Sequence, residues 1–327
     1  MTDTNVVIIG SGFIGGSLAM YLKNFFSVTT ISINPQPEWL RREKISHTIC
    51  DILDYEKLSK EIEDATIVIN TAILRIPQIL ENNQKGYSVN VLGTENICKI
   101  VANEQEIIGF INIGTTSVMG EKEIGEIMNE KLGYQPDKLE DRSRLYVITK
   151  ILQENIIQFF DEIHKDKFFG TLRVDSVIGE NMHRDFFVNR FIDQAVLGQN
   201  ITIHKHSQNK IFSFSEISDI CKAIKKLIDL VLSNPKFNSE LQNHIINLIY
   251  PKTYTITQIA NIVKNSVVLH SNGEINPEII IVDKGISEEE KSSDYIIELI
   301  KIQSVLKMHN FTSPQTAIDK IIKSRLK

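Results

Sequence analysis

A run of apolar residues, Asn5–Ile9, leads straight into Gly10-Ser11-Gly12-Phe13-Ile14-Gly15, and a helical pattern, Ile14–Lys23, leads out of it. A strand that turns on glycines into a helix leaves few folds open. Gly10 permits the tight turn, Gly12 lets the backbone approach a pyrophosphate, and Gly15 lets helix and strand pack closely. The helix N-terminus then presents free N–H groups and a partial positive charge to phosphate. Without a ligand in view, the same residues are also an ordinary glycine-rich turn, so the rest of the chain has to decide.

The chain has 327 residues, enough for one large domain with a smaller one appended. A formal charge of −5 argues against nucleic acid or an anionic membrane as the main partner. Cys50, Cys98 and Cys221 are sparse, odd in number and without a Cys-x-x-Cys spacing. They read as reduced thiols of a cytoplasmic protein rather than a disulfide framework or metal site. The apolar start, Val6–Leu22, lacks a basic leader and is broken by glycines, so it fits strand–turn–helix better than a signal peptide. No other stretch reaches the length of a membrane span.

Short β-rich runs alternate with helical patterns through the first half, as in βαβ units on a parallel sheet. Strands are expected at Asn5–Ile9, Val28–Ile33, Thr48–Cys50, Thr66–Thr71, Ile107–Ile113 and Phe168–Val174. Helices are expected at Tyr55–Glu63, Gly86–Asn103 and Arg144–Phe160. The fold class is therefore α/β, a Rossmann-type doubly wound parallel sheet over 1–179, with a returning strand near 245–249. Beyond Gly179 the rhythm changes to a smaller C-terminal α/β substrate-binding region, 180–327, with helices at Phe186–Leu197, Glu216–Val231, Ile256–Lys264, Tyr295–Lys307 and Gln315–Ser324 and a strand at Phe212–Phe214.

Tyr146 and Lys150 stand four apart in one predicted helix and so share a face. A free tyrosine is a poor base at neutral pH, but a neighbouring ammonium and an oxidised nicotinamide favour its phenolate. That makes a usable proton shuttle. Thr115 follows a strand whose carboxyl end faces the ligand in a doubly wound sheet, where its hydroxyl can hold the substrate oxygen. At the end of the second strand, where an NAD site usually carries Asp or Glu, the chain has Ser32. With no carboxylate to repel a 2′-phosphate, and with Arg41 and Arg42 close by, the cofactor reading is NADP or NAD with a lean to NADP. The two arginines equally fit a solvated helix face. Asp51 either accepts from an adenine amino group or caps a turn.

These motifs, in this order, resemble the extended short-chain dehydrogenase/reductase family, also called the NAD-dependent epimerase/dehydratase family. The likeness runs from Val6 to about Ile322 through Gly10–Gly15, Asp51-Ile52, Asn70-Thr71-Ala72 and Asn90-Val91-Leu92-Gly93-Thr94. It continues through Ile113–Gly120, Tyr146–Lys150 with Glu154, Leu172-Arg173 with Gly179, and Lys210–Asp219. The resemblance implies catalysis by Thr115, Tyr146 and Lys150, and cofactor contacts at Gly10, Gly12, Phe13, Ile14, Gly15, Ser32, Asp51, Ile52, Thr71, Ala72, Asn90 and Lys150. It also implies a nucleotide-sugar substrate and a homodimer paired through the helices after strands four and five.

Departures from the family pattern refine this expectation. Thr116-Ser117 stand where its dehydratases carry Asp-Glu, which disfavours 4,6-dehydration. Ser176 and Lys210 replace an Asn and an Arg that contact the diphosphate, so with Thr116 they are the expected substrate residues. The reading is an NAD(P)-dependent epimerase or reductase. A carbonyl reductase on a substrate without a nucleotide, or a non-catalytic sensor or scaffold, are the alternatives. His204-Lys205-His206 reads as polar surface rather than a metal clip, Ser287–Asp294 as a solvated acidic stretch, and Phe186, Phe187 and Phe191 as core or pocket wall.

Overall fold

A computed structural model describes residues 4–233, 244–286 and 294–326. In chain order its strands are β1 (Asn5–Ile9), β2 (Ser27–Ser32), β3 (Ser46–Ile49), β4 (Ile67–Asn70), β5 (Gly109–Thr115), β6 (Ile127–Met128), β7 (Phe168–Val174), β8 (Ser176–Ile178), β9 (Ile201–His204), β10 (Ile211–Phe212), β11 (Phe214–Glu216), β12 (Ile245–Leu248), β13 (Tyr254–Thr255), β14 (Ile279–Val282) and β15 (Ile296–Ile297). Its α-helices are α1 (Phe13–Leu22), α2 (Glu38–Arg41), α3 (Tyr55–Ile62), α4 (Gln78–Glu81), α5 (Asn83–Tyr87), α6 (Gly93–Asn103), α7 (Asp141–Ile163), α8 (Phe187–Val196), α9 (Ile217–Ser233), α10 (Ile256–His270), α11 (Ile300–Val305) and α12 (Pro314–Arg325).

Seven strands form one sheet in the order β12-β7-β5-β4-β1-β2-β3, parallel throughout. Parallel strands need helical crossovers, and those helices cover both faces. β4, β5 and β7 are accordingly buried along their whole length. One apolar core packs Ile111, Ile113, Leu172 and Val174 against α9; the opposite face packs Phe110, Phe169 and Ile157. The strand order reverses between β1 and β4, which opens a crevice at their carboxyl ends.

A third core, around Phe191, Ile201, Ile259 and Ile318, belongs to α8, β9, α10 and α12. The boundary expected at residue 179 directly follows β8, which pairs with β11 outside the seven-stranded sheet, but the chain afterwards crosses back more than once. α9, β12 and α11 all return to the first core, through residues such as Ile224, Leu248 and Ile302.

Three expected elements are built differently. The helix expected at Gly86–Asn103 is α5 and α6 joined by a π-helical turn, Ser88–Leu92. The helix expected at Tyr295–Lys307 begins as β15, paired with β6, before α11 starts at Ile300. The strand expected at Phe212–Phe214 divides into β10 and β11, which pair with β13 and β8 respectively. Of the acidic stretch 287–294, residues 287–293 lie outside the described residues.

Candidate active site

The glycine turn sits at the β1–β4 crevice. Gly10 has φ +100°, and a Cβ there would lie 2.5 Å from Thr71 Oγ1 and 2.8 Å from the Ala72 nitrogen. A Cβ on Gly15 would lie 1.9 Å from the Gly10 carbonyl oxygen, so both glycines are demanded by close approach. At Gly12 a Cβ would meet nothing within 4 Å; the backbone there faces open space, as a cradle for a pyrophosphate requires. Thr71 Oγ1 lies 3.0 Å from the carbonyl oxygens of both Ile9 and Gly10, and the Ala72 nitrogen donates to Asn70 Oδ1. Phe13 is buried in the third core and Ile14 packs beside it.

Ser32 ends β2 with its hydroxyl 3.0 Å from that of Ser11 and donating to the Asn34 carbonyl at 2.6 Å. Arg42 pairs with Glu38 at 2.5 Å on an exposed face of its helix. That fits the solvated-face alternative. Asp51 is exposed and accepts from the Leu53 nitrogen through Oδ1, a turn cap. Ile52 is buried beneath Gly93. Asn90 is fully buried; it accepts from the Leu74 nitrogen and donates to the Leu74 carbonyl and Thr149 Oγ1. It therefore shapes the loop after β4 from behind.

Tyr146 and Lys150 project from the N-terminal half of α7. Lys150, only 5% exposed, donates from Nζ to the Ile113 carbonyl at 2.9 Å. This ties the helix to β5 two residues before Thr115. Thr115 Oγ1 donates to Ser117 Oγ and accepts from the Ser117 nitrogen. Lys150 is thus anchored to β5 close to Thr115, with Tyr146 one turn earlier on the same helix.

Their electrostatics differ from expectation. Burial pushes the Tyr146 phenol up to about 12, and the cation that opposes this is Arg75, on the loop after β4, rather than Lys150. The Lys150 ammonium is drawn to the Ile113 carbonyl instead. Burial also brings Lys150 down to about 8, against the pull of the Glu154 carboxylate. Arg75 carried no motif, and only its position in space identifies it; it also stands 3.9 Å from Asp185 across the cleft.

Glu154 is held by Arg173 in a buried two-pronged ion pair, with bonds of 2.7–3.1 Å, and is also bonded by Tyr134. Lys210 Nζ lies 3.0 Å from Glu140, just ahead of α7. Thr116 and Ser176 converge on Asp175, which no sequence motif marks: Thr116 Oγ1 donates to its Oδ2 at 2.7 Å, and the Ser176 nitrogen to its Oδ1 at 2.7 Å. The one signal for it was an acidic side chain directly after the strand Phe168–Val174, at the carboxyl end that faces a ligand in a doubly wound sheet.

Phe187 and Phe191 line a cleft of about 270 Å³ together with Arg190, Thr202 and His204. Among the described residues no group of three or more His, Cys, Asp or Glu could hold a metal ion, and no helix is long and apolar enough to cross a membrane.

Residues 6–247 match the NAD dependent epimerase/dehydratase family. An uncharacterized membrane protein of Methanocaldococcus jannaschii is 31% identical over 120 residues, which span 34% of this chain and 36% of that protein's length. The fold is similar to UDP-glucose 4-epimerase of Thermotoga maritima with UDP-glucose (TM-score 0.78, 15% identity, 98% of this chain and 97% of that one). It is also similar to UDP-glucuronic acid 4-epimerase of Bacillus cereus with UDP-glucuronic acid and NAD (0.74, 20%, 98% and 99%). A third likeness is to dTDP-glucose 4,6-dehydratase of Bacillus anthracis in complex with NAD (0.76, 14%, 98% and 95%).

Proposed function

Because the chain belongs to the NAD dependent epimerase/dehydratase family, we propose that it is an epimerase or carbonyl reductase acting on a nucleotide sugar or a related hydroxyl or carbonyl compound. The observation that carries this reading is the junction of α7 with the end of β5, where Lys150 reaches the Ile113 carbonyl beside Thr115 and Tyr146 shares its helix face. The bound cofactor supplies a nicotinamide that exchanges a hydride with the substrate carbon. Tyr146 exchanges the hydroxyl proton, and Thr115 positions the substrate oxygen. Lys150 binds the nicotinamide ribose and adds its positive charge to the site.

Gly10, Gly12 and Gly15 take the pyrophosphate, supported by the open space at Gly12. The cofactor is NAD or NADP: the family model is NAD dependent, and Ser32 leaves the end of β2 without a carboxylate to repel a 2′-phosphate. Thr116 and Ser117 stand where an eliminating enzyme needs a proton donor and acceptor, so the reaction is epimerisation or reduction, not 4,6-dehydration. Carbonyl reduction of a substrate without a nucleotide is the second reading; it draws on Ser176 being held by Asp175 and Lys210 by Glu140. The assembly is a homodimer, supported by exposed Leu152, Phe159 and Ile163 on one face of α7. Three buried free cysteines suit a reducing cytoplasm.

Incubation with sugar nucleotides and NAD, followed by mass spectrometry and NMR, tests the reading. An isomer of unchanged mass marks epimerisation, and a two-hydrogen change marks simple redox. A product lighter by one water would overturn the reaction class. Tyr146→Phe should cut turnover by ~100- to 10,000-fold while leaving cofactor binding intact; a variant that kept most of its activity would remove Tyr146 from the mechanism.

A further inference from the structure

The loop after β4 is clamped onto the turn of α7 that carries Tyr146. The Leu74 nitrogen donates to Asn90 Oδ1 at 2.7 Å, and the Leu74 carbonyl accepts from Asn90 Nδ2 at 3.0 Å. The same Asn90 amide donates to Thr149 Oγ1 at 3.0 Å, and Thr149 Oγ1 donates to the Tyr146 carbonyl at 2.7 Å. Asn90 and Thr149 are fully buried, so water does not compete for these bonds. A continuous chain of hydrogen bonds therefore joins the residue before Arg75 to the backbone of Tyr146. The register between loop and helix is fixed, and the Arg75 side chain starts from a fixed point.

That side chain is half-buried. The one carboxylate paired with it among the described residues is Asp185, 3.9 Å away and 82% exposed. So loose and solvated a pair leaves most of the guanidinium charge to the site. The charge is felt by Tyr146, where it opposes the burial that pushes the phenol up. It is also felt by His183, which burial and then Arg75 hold below its ordinary value, so that this imidazole is neutral at pH 7 and adds no charge of its own.

The other charged groups packed around this part of α7 are engaged elsewhere. Lys150 is drawn to the Ile113 carbonyl, Glu154 to Arg173 of β7, Arg144 to Asp141, and Arg142 and Lys210 to Glu140. On α6, Lys99 pairs with Glu95. Glu81 of α4 and Lys85 and Tyr87 of α5 are exposed, where solvent and salt screen them.

We propose that Arg75 is the positioning residue of the proton shuttle, its guanidinium holding the Tyr146 oxygen as the phenolate that takes the substrate proton, while Lys150 serves the cofactor. In the oxidising direction the substrate carbon gives its hydride to the nicotinamide. The hydroxyl proton passes to the Tyr146 oxygen, and the carbon–oxygen bond becomes a carbonyl. Arg75 touches none of the reacting atoms; it acts through the charge it sets beside Tyr146. This rests on the reading of Tyr146 as the shuttle.

The test follows the Tyr146 ring directly. Protein with tyrosine isotope-labelled at Cζ is titrated by NMR, alone and saturated with NAD or NADP, with Tyr146→Phe to assign the resonance. Arg75→Met should raise the Tyr146 midpoint by ~0.5–1 unit, and Arg75→Lys, which keeps the charge, should leave it near the wild-type value. On a sugar nucleotide that the wild type turns over, Arg75→Met should lower kcat/KM by ~3- to 10-fold at pH 7 and regain the loss as pH rises, the tenfold end being one unit of midpoint. Midpoints of wild type and Arg75→Met that coincide, or a rate lost equally at every pH, would overturn the proposal and leave Tyr146 as the shuttle. Near-normal activity in Tyr146→Phe would instead remove the shuttle itself, and this proposal with it.

Discussion

Lys150 carries a charge in a place that resists charge. With its pKa brought down to about 8 from the usual 10.5, its ammonium costs the fold stability wherever the chain is protonated in both states. Between about pH 8 and 10 the unfolded chain still binds that proton and the folded one has released it, so this site's contribution to stability rises with pH. Lys150→Met removes the titration, and the hydrogen bond to Ile113 with it. The stability difference between the variant and the wild type should therefore shift by up to ~3 kcal/mol in the wild type's favour from pH 7 to pH 10, on the scale of 1.36 kcal/mol per unit. Urea unfolding at three pH values reads this directly, and a constant difference would mean Lys150 is not buried as a cation. At the same scale, the site residues divide by how they were recognised. Tyr146, Lys150 and Thr115 were legible because helix periodicity and strand ends are local properties. Arg75 and Asp175 were not, because what makes them matter is the company that other strands bring them.

The π-helical turn at Ser88–Leu92 shows what an element costs and obtains by being irregular. Within it Asn90 bonds to Leu74 and Thr149, and at its end Gly93 lies against Ile52, where a Cβ would come within 2.3 Å. Asn90→Ala should leave the Leu74 amide and carbonyl and the Thr149 hydroxyl unpaired in the interior. A loss of ~2–4 kcal/mol in denaturant unfolding is expected from those orphaned groups; a loss under about 0.5 kcal/mol would show that water or the backbone replaces the amide. The sequence could not reveal this turn, since its apolar spacing satisfies an α-helix equally well. The strand β15 was hidden for a related reason. Ile296 and Ile297 suit a helix as much as a strand, and their partners, Ile127 and Met128, lie far off in the chain. The parallel sheet itself was legible, because strands buried on both faces read as unbroken apolar runs.

At the scale of the whole molecule, the outer face of α7 carries three exposed apolar side chains among polar ones. Leu152, Phe159 and Ile163 are exposed, with Phe159 at 56% and Ile163 at 55%. Spaced by whole turns, they make a stripe of the kind that pairs with a second copy across a two-fold axis. Phe159→Glu should convert a dimer into a monomer on light scattering with little change in the far-ultraviolet spectrum. A wild-type chain that is monomeric at tens of micromolar would refute the pairing. The second region is legible only in part from sequence, because the chain passes between the two cores and no composition shift marks where α9, β12 or α11 return.

That returning path has a consequence for how the protein is made. A ribosome delivers β7 long before β12, since Ile245 follows the whole of α8, α9 and the strands between them. Until then, the growing sheet ends in the bare, apolar edge of β7, with its backbone groups open to any passing strand. The nascent chain is thus exposed to misassociation late in synthesis, and a fragment stopped before β12 would carry the entire proposed Tyr146–Lys150–Thr115 machinery on a sheet still open at one side.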